Sequence, residues 1–172
     1  FKQKTAYEIY QCDWSSDVCS SDLNRRPVDG ATEAACKARW VPFDELLARS
    51  DFLVLLLPYT PDSYHLIDAA ALARMKPTAH LINAARGGIV DDAALIGALK
   101  AGRLAGAGLD VFEGEPALNP GFLELDNVAL SPHIGSSSRA TRMSMVMMAA
   151  DNLIAALAGQ RPPHLLNPEA LP

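Results

Sequence analysis

From residue 24 onward, apolar and polar positions fall into blocks that spell short helices and short strands in turn. Residues 31–38 are helix-compatible, and 43–50 make a second short helix with Asp44 as candidate N-cap. Phe52-Leu-Val-Leu-Leu-Leu57 is an unbroken apolar run closed by Pro58, which reads as a strand buried on both faces. Asp68 can cap a helix over 69–75 that Pro77 stops, residues 79–83 make the next strand, and Gly87-Gly88 a turn. Asp91 or Asp92 caps a helix over 93–101, with Gly102 in the usual place just past its end. Residues 105–111 form a strand of small residues, and 128–131 a fourth. Ser136 to Ser138 offer caps for the longest helix, 139–158, which Gly159 and Pro162-Pro163 terminate. Strands alternating with helices at these spacings predict right-handed βαβ units: an α/β fold with a doubly wound parallel sheet covered on both faces.

The first 23 residues break this pattern. FKQKTAYEIYQCDWSSDVCSSDL has no sustained period and repeats SSD within a few positions. It resembles translated sequencing-library DNA rather than a protein segment, and the expectation is that it lies outside the native domain.

At 172 residues the chain suits one ordinary domain, and 49% apolar residues supply a sizeable, mainly aliphatic core. A net charge of −5 argues against nucleic acid or an anionic membrane as partner. No apolar run approaches the ~20 residues of a bilayer span, and no secretory leader is visible. Cys12, Cys19 and Cys36 fit neither a metal-ligand spacing nor a disulfide framework. The expectation is a soluble, cytoplasmic protein without a metal site.

Candidate chemistry sits at the carboxyl ends of the strands, where open parallel sheets bind ligands. After residues 79–83 comes Asn-Ala-Ala-Arg-Gly-Gly, which puts Arg86 in a glycine-rich turn. Near the end of residues 105–111 stands Asp110, with Glu115 in the loop that follows, and after residues 128–131 comes His133. Arginine offers a planar fork for a carboxylate and stays charged. Histidine, with an unperturbed pKa of ~6.5, exchanges a proton near neutrality, and a neighbouring carboxylate favours its charged form. His65 reads as a surface residue starting a helix, His80 as packed within a strand, His164 as part of the tail, and Cys36 as inert. Met143, Met145, Met147 and Met148 read as packing residues of the last helix.

The segments NAARGGIVDDAALIGAL, GAGLDVFEGEP and NVALSPHIGSSS resemble the three signature segments of the D-isomer-specific 2-hydroxyacid dehydrogenases. Within that family the likeness is to glyoxylate/hydroxypyruvate reductases, partly through NRRP at Asn24 to Pro27. The resemblance implies a partial Rossmann-like domain lacking its first βαβ part. Residues 24–158 would be the carboxyl-terminal part of an NAD(P)-binding domain, and 159–172 a tail that packs on a substrate domain. It implies that Arg86 binds the carboxylate of a 2-oxo acid and polarises its carbonyl, that His133 is the acid/base, and that Glu115 orients His133. Asp110 would meet the nicotinamide end of the cofactor. Pro58, Ala84, Ala85 and Gly135 would line the cofactor, and Asn24, Arg25 and Arg26 its ribose.

Two guanidinium groups and no acid at that last position favour NADP, with NAD possible. The resemblance also implies a small 2-oxo or 2-hydroxy acid as substrate and a homodimeric enzyme. Phosphoglycerate dehydrogenases and non-enzymatic, corepressor-like dinucleotide sensors share these features and remain open. The G-x-G-x-x-G turn and the substrate domain are absent from these 172 residues, so the chain by itself is expected to be inactive.

Overall fold

The computed structural model describes residues 8–10, 21–23, 30–36 and 38–168. The chain begins with two short strands, β1 (Glu8–Tyr10) and β2 (Ser21–Leu23), then helix α1 (Gly30–Cys36) and strand β3 (Ala38–Trp40). β2 pairs parallel with β3. The aperiodic opening segment therefore contributes two strands, and the helix expected over 31–38 stops at Cys36 because Ala38 already starts β3. Next come α2 (Phe43–Arg49), β4 (Phe52–Leu56), α3 (Ala69–Arg74), β5 (His80–Asn83), α4 (Asp92–Lys100), β6 (Gly106–Leu109), β7 (Val128–Leu130) and α5 (Arg139–Leu157). The chain divides into two units, Phe1–Pro132 and His133–Pro172.

In the first unit, β4, β5, β6 and β7 run parallel in chain order, and β1 adds antiparallel to the β4 edge. When strands advance one way across a sheet, right-handed crossovers put every connection on the same face. That face is the core. Leu53, Leu55, Leu81 and Leu109 pack there with Leu46 and Leu47 of α2, Leu72 of α3, and Leu95 and Leu99 of α4. Each fully buried side chain of this size contributes about 1.5–3 kcal/mol. On the opposite face Phe52, Val54, His80 and Ile82 are only half-buried. The expected burial of β4 on both faces is thus corrected: its apolar run alternates in exposure, because the sequential crossovers cover one side. His80 packs there as expected, its ring stacked on Phe52 with centroids 5.4 Å apart.

Helix ends follow the sequence signals closely. Asp68 caps α3 by accepting the Ala71 N–H, and Asp91, not Asp92, caps α4 by accepting the Ala94 N–H. Gly102, at φ +63°, takes the left-handed position after α4 that a Cβ disfavours. Asp44 does not cap α2: Pro42 is the N-cap, and Asp44 lies inside the first turn, paired with Arg74 at 2.6 Å. Proline's fixed φ already suits a helix entry, leaving the carboxylate free for a tertiary ion pair. His65 starts no helix. It takes a left-handed φ of 49° and pairs with Glu113.

In the second unit, Ser138 caps α5 by accepting the Thr141 N–H, and Gly159, at φ +69°, ends it. Asn152 accepts the His164 N–H at 2.9 Å, tying the tail to its helix. Met143, Met145, Met147 and Met148 are exposed rather than packed, since α5 buries none of its residues.

Candidate active site

The carboxyl ends of β5, β6 and β7 border a cleft of about 240 Å3 that runs from Ile82, Asn83 and Ala84 past Gly108 and Asp110 to Ala129 and Ser131. Its lining mixes small residues (Ala84, Gly108, Ala129, Ser131) with the aliphatic Ile82, Leu109 and Leu130. A Cβ added at Gly108 would meet only the Ile82 side chain, at 3.9 Å.

Arg86 owes its place to Asn83. This residue ends β5 at 1% exposure, where a bare polar group would be costly. Its Oδ1 accepts the Ala85 N–H at 3.1 Å and its Nδ2 donates to the Arg86 carbonyl at 3.0 Å. The bracket fixes the turn and leaves Arg86 exposed, with Nη1 donating to the Ala85 carbonyl at 2.6 Å. Ala85 is buried beneath the turn and Ala84 is exposed at the cleft. Pro58, at the end of the β4 run, accepts a hydrogen bond from Ser63 Oγ at 2.9 Å.

Asp110 ties the three strand ends together. Its N–H donates to the Asn83 carbonyl at 3.0 Å, and its carboxylate accepts from Ser131 Oγ at 2.5 Å. Downstream, Gly114 turns the chain at φ +69°, and Glu115, exposed, accepts the Phe112 N–H at 2.8 Å. Gly87 is where the two loops meet. A Cβ there would stand 1.8 Å from the Phe112 carbonyl oxygen, so only glycine lets the Arg86 turn seat on the loop that leads to Glu115.

His133 opens the second unit, exposed, with a left-handed φ of 52°. Holding a non-glycine residue there costs of order 1–3 kcal/mol, and such residues concentrate at functional sites. Gly135 is exposed beside it, and α5 begins at Arg139. Asn24, Arg25 and Arg26 lie outside the described residues.

Of the expected residues in the first unit, Arg86, Asp110 and Glu115 thus sit on two touching loops at one sheet edge. Sequence reasoning missed Asn83, Gly87 and Ser131 as the groups that position them. The available signal was a polar residue closing an apolar strand, followed by paired glycines. Asp92 does more than begin α4. It is 3% exposed, and burial pushes its pKa up to about 6. Among the described residues, no cluster of His, Cys, Asp or Glu could hold a metal ion, and no helix is long and apolar enough to cross a membrane.

The family model of the D-isomer specific 2-hydroxyacid dehydrogenase NAD binding domain matches residues 12–135. The chain belongs to this family. It is 49% identical over 148 residues to a glyoxylate reductase of Thermococcus onnurineus, covering 86% of this chain and 44% of that protein. A putative D-isomer specific 2-hydroxyacid dehydrogenase of Polaromonas superposes with a TM-score of 0.76 at 35% identity, over 83% of this chain and 44% of its own. An NADPH-dependent glyoxylate/hydroxypyruvate reductase of Sinorhizobium meliloti, solved with NADP and malonate, superposes with a TM-score of 0.71 at 37% identity, over 78% of this chain and 41% of its own. The chain therefore spans less than half the length of these relatives. The parallel sheet with its cleft at the strand ends is the NAD-binding domain of the family in partial form, as the signature segments led us to expect.

Proposed function

We propose that the chain supplies the nucleotide-binding part, with the catalytic side chains, of an oxidoreductase that reduces a small 2-oxo acid such as glyoxylate or hydroxypyruvate with NADPH. The observation that carries this reading is the Arg86 turn. A buried asparagine brackets it, and it leaves a permanent cation exposed two residues beyond Ala84, which lines the cleft.

When bound, a nicotinamide supplies the hydride. In this reading the cleft lined by Ala84, Gly108, Asp110, Ala129 and Ser131 receives the ring. Arg86 binds the substrate carboxylate through its planar fork and draws electron density from the adjacent carbonyl. His133 donates a ring proton to the carbonyl oxygen as negative charge develops there. Glu115 serves His133 as a carboxylate partner that orients its ring for that transfer. Arg25 and Arg26 bind the 2′-phosphate, which is the reason for preferring NADPH over NADH. The assembled enzyme is a cytoplasmic homodimer in this reading.

The test joins residues 24–172 to everything that precedes the matched segment in the Thermococcus onnurineus glyoxylate reductase, so that both the substrate domain and the start of the nucleotide-binding domain are supplied. The expected result is NADPH oxidation on adding glyoxylate, with NADH the poorer donor. Silence across a panel of 2-oxo acids, with the fusion folded, would overturn the reading. An Arg25→Ala/Arg26→Ala pair that kept the preference for NADPH would remove those arginines from the site.

A further inference from the structure

A second set of polar side chains meets where the Arg86 turn and the Glu115 loop come together. It draws on three segments: the connection after β4, which carries His65; the start of α4, with Asp91 and Asp92; and the loop after β6, with Glu113. The His65 ring stacks on Tyr64 with centroids 4.0 Å apart. Its Nε2 lies 2.6 Å from Glu113 Oε1, and its Nδ1 lies 3.9 Å from Asp91 Oδ2. The other Glu113 oxygen accepts the Asp92 N–H at 3.3 Å, and Asp92 Oδ2 accepts the Glu113 N–H at 3.1 Å. The two acids thus exchange backbone N–H groups reciprocally, while one of them also holds the histidine.

This arrangement is costly in isolation. It keeps a carboxylate 97% out of solvent beside two others, and it holds His65 in a left-handed backbone. What it achieves is a fixed register between two loops. Arg86 lies just ahead of α4, and Glu115 follows Glu113 after one glycine. The loops already touch backbone to backbone at Gly87 and Phe112, and the Phe112 N–H in turn holds Glu115 Oε1 at 2.8 Å. One contact between two loops leaves a pivot; a second, off-axis tie removes it.

We propose that His65, Asp92 and Glu113 are positioning residues. They form a three-way clamp that fixes the Glu115 loop against the Arg86 turn, and with it the spacing between the anion-binding guanidinium and the carboxylate. The catalytic meaning of the clamp rests on the reading of Arg86 and Glu115 given above; its geometry does not. A displacement of only ~1 Å in such a pair can cost ~100-fold in rate, which is why a fold would retain the device.

The test is native-state amide hydrogen exchange on the 172-residue chain. The Phe112 amide reports whether Glu115 is held, and the Leu81 and Leu109 amides report the sheet. Glu113→Ala and Asp92→Ala are expected to speed exchange at Phe112 about tenfold or more while Leu81 and Leu109 stay unchanged. Asp92→Asn keeps an acceptor for the Glu113 N–H and is expected to restore slow exchange. His65→Gln, at a half-exposed position that the core does not need, gives the same readout if an alanine variant fails to fold. Phe112 exchange unchanged in these variants, or Leu81 and Leu109 accelerating in step with it, would overturn the clamp. Because exchange requires no turnover, a fusion enzyme silent toward 2-oxo acids would sink the reductase reading and leave this result standing.

Discussion

Helices α4 and α5 are both built largely from Ala, Leu, Ile and Met or Val, yet they occupy opposite environments. α4 turns Leu95, Ile96, Ala98 and Leu99 into the core of the first unit, and its N-terminal Asp92 is buried with them. α5 is twice as long and buries nothing, with Met147 at 51% and Leu157 at 80% exposure. The difference lies in where each helix finds its partners. α4 is delivered by a crossover between neighbouring parallel strands, so the chain that encodes it also encodes the surface it covers. α5 lies in the second unit after β7, and among the described residues no strand follows it. Apolar content therefore tells how much a helix can bury, and connectivity tells against what.

The same contrast divides the candidate catalytic groups. Arg86 and Glu115 are held by contacts internal to the first unit, whereas His133 opens the second. In the fusion enzyme, His133→Ala is expected to lower kcat ~10²–10⁴-fold, because losing a general acid costs that much whatever holds it. A loss of less than tenfold would mean that the proton comes from elsewhere. Arg86→Ala should instead raise KM for the 2-oxo acid as well as lower kcat, since it binds ground state and transition state alike.

Core substitutions should separate the two helices next. Leu95→Ala in α4 leaves a cavity and is expected to cost about 2–5 kcal/mol of unfolding free energy by denaturant titration. Met147→Ala in α5 is expected to fall within about 0.5 kcal/mol of wild type. Equal losses would show that α5 is covered in solution and would break the comparison.

Asp92 gives an effect that depends on pH. Its carboxyl titrates near 6 in the folded chain, raised from 3.8 chiefly by burial and then by the neighbouring acids. A raised acid binds its proton more tightly in the folded state. Its stabilising contribution is therefore complete below 3.8 and is lost as pH rises through about 6. Asp92→Asn should thus stabilise the chain by on the order of 1–3 kcal/mol at pH 8 and by almost nothing at pH 3.5. The same gain at both pH values would show that the buried charge is not its source. The smallest effect belongs to the exposed pair Lys100–Glu124, 2.6 Å apart. Lys100→Ala should leave the denaturation midpoint within experimental error of wild type, more so in high salt.

Much of the fold was legible locally. The caps at Asp68, Asp91 and Ser138 and the stop at Gly102 follow from side-chain oxygens and left-handed backbone, which act within three or four residues. The strand ends bearing Arg86 and Asp110 were legible too, because a run of β-forming or small residues followed by glycine and polar residues marks them. Asp44, His65 and Asp92 were misread for one reason. Each has its decisive partner in another segment, Arg74 for the first and Glu113 for the other two. Likewise, the apolar run of β4 could not reveal that only one of its faces would be covered.

The sequence by itself determined the order of elements from α2 onward, the family, and the residue types at the strand ends, since periodicity, capping and motif are written in neighbouring positions. Only the tertiary structure decided which face of the sheet is packed, and that Asn83 brackets the Arg86 turn. It alone seated Gly87 on the Phe112 carbonyl and brought His65, Asp92 and Glu113 to one point. Those choices depend on contacts between residues tens of positions apart, which become neighbours only once the strands have paired.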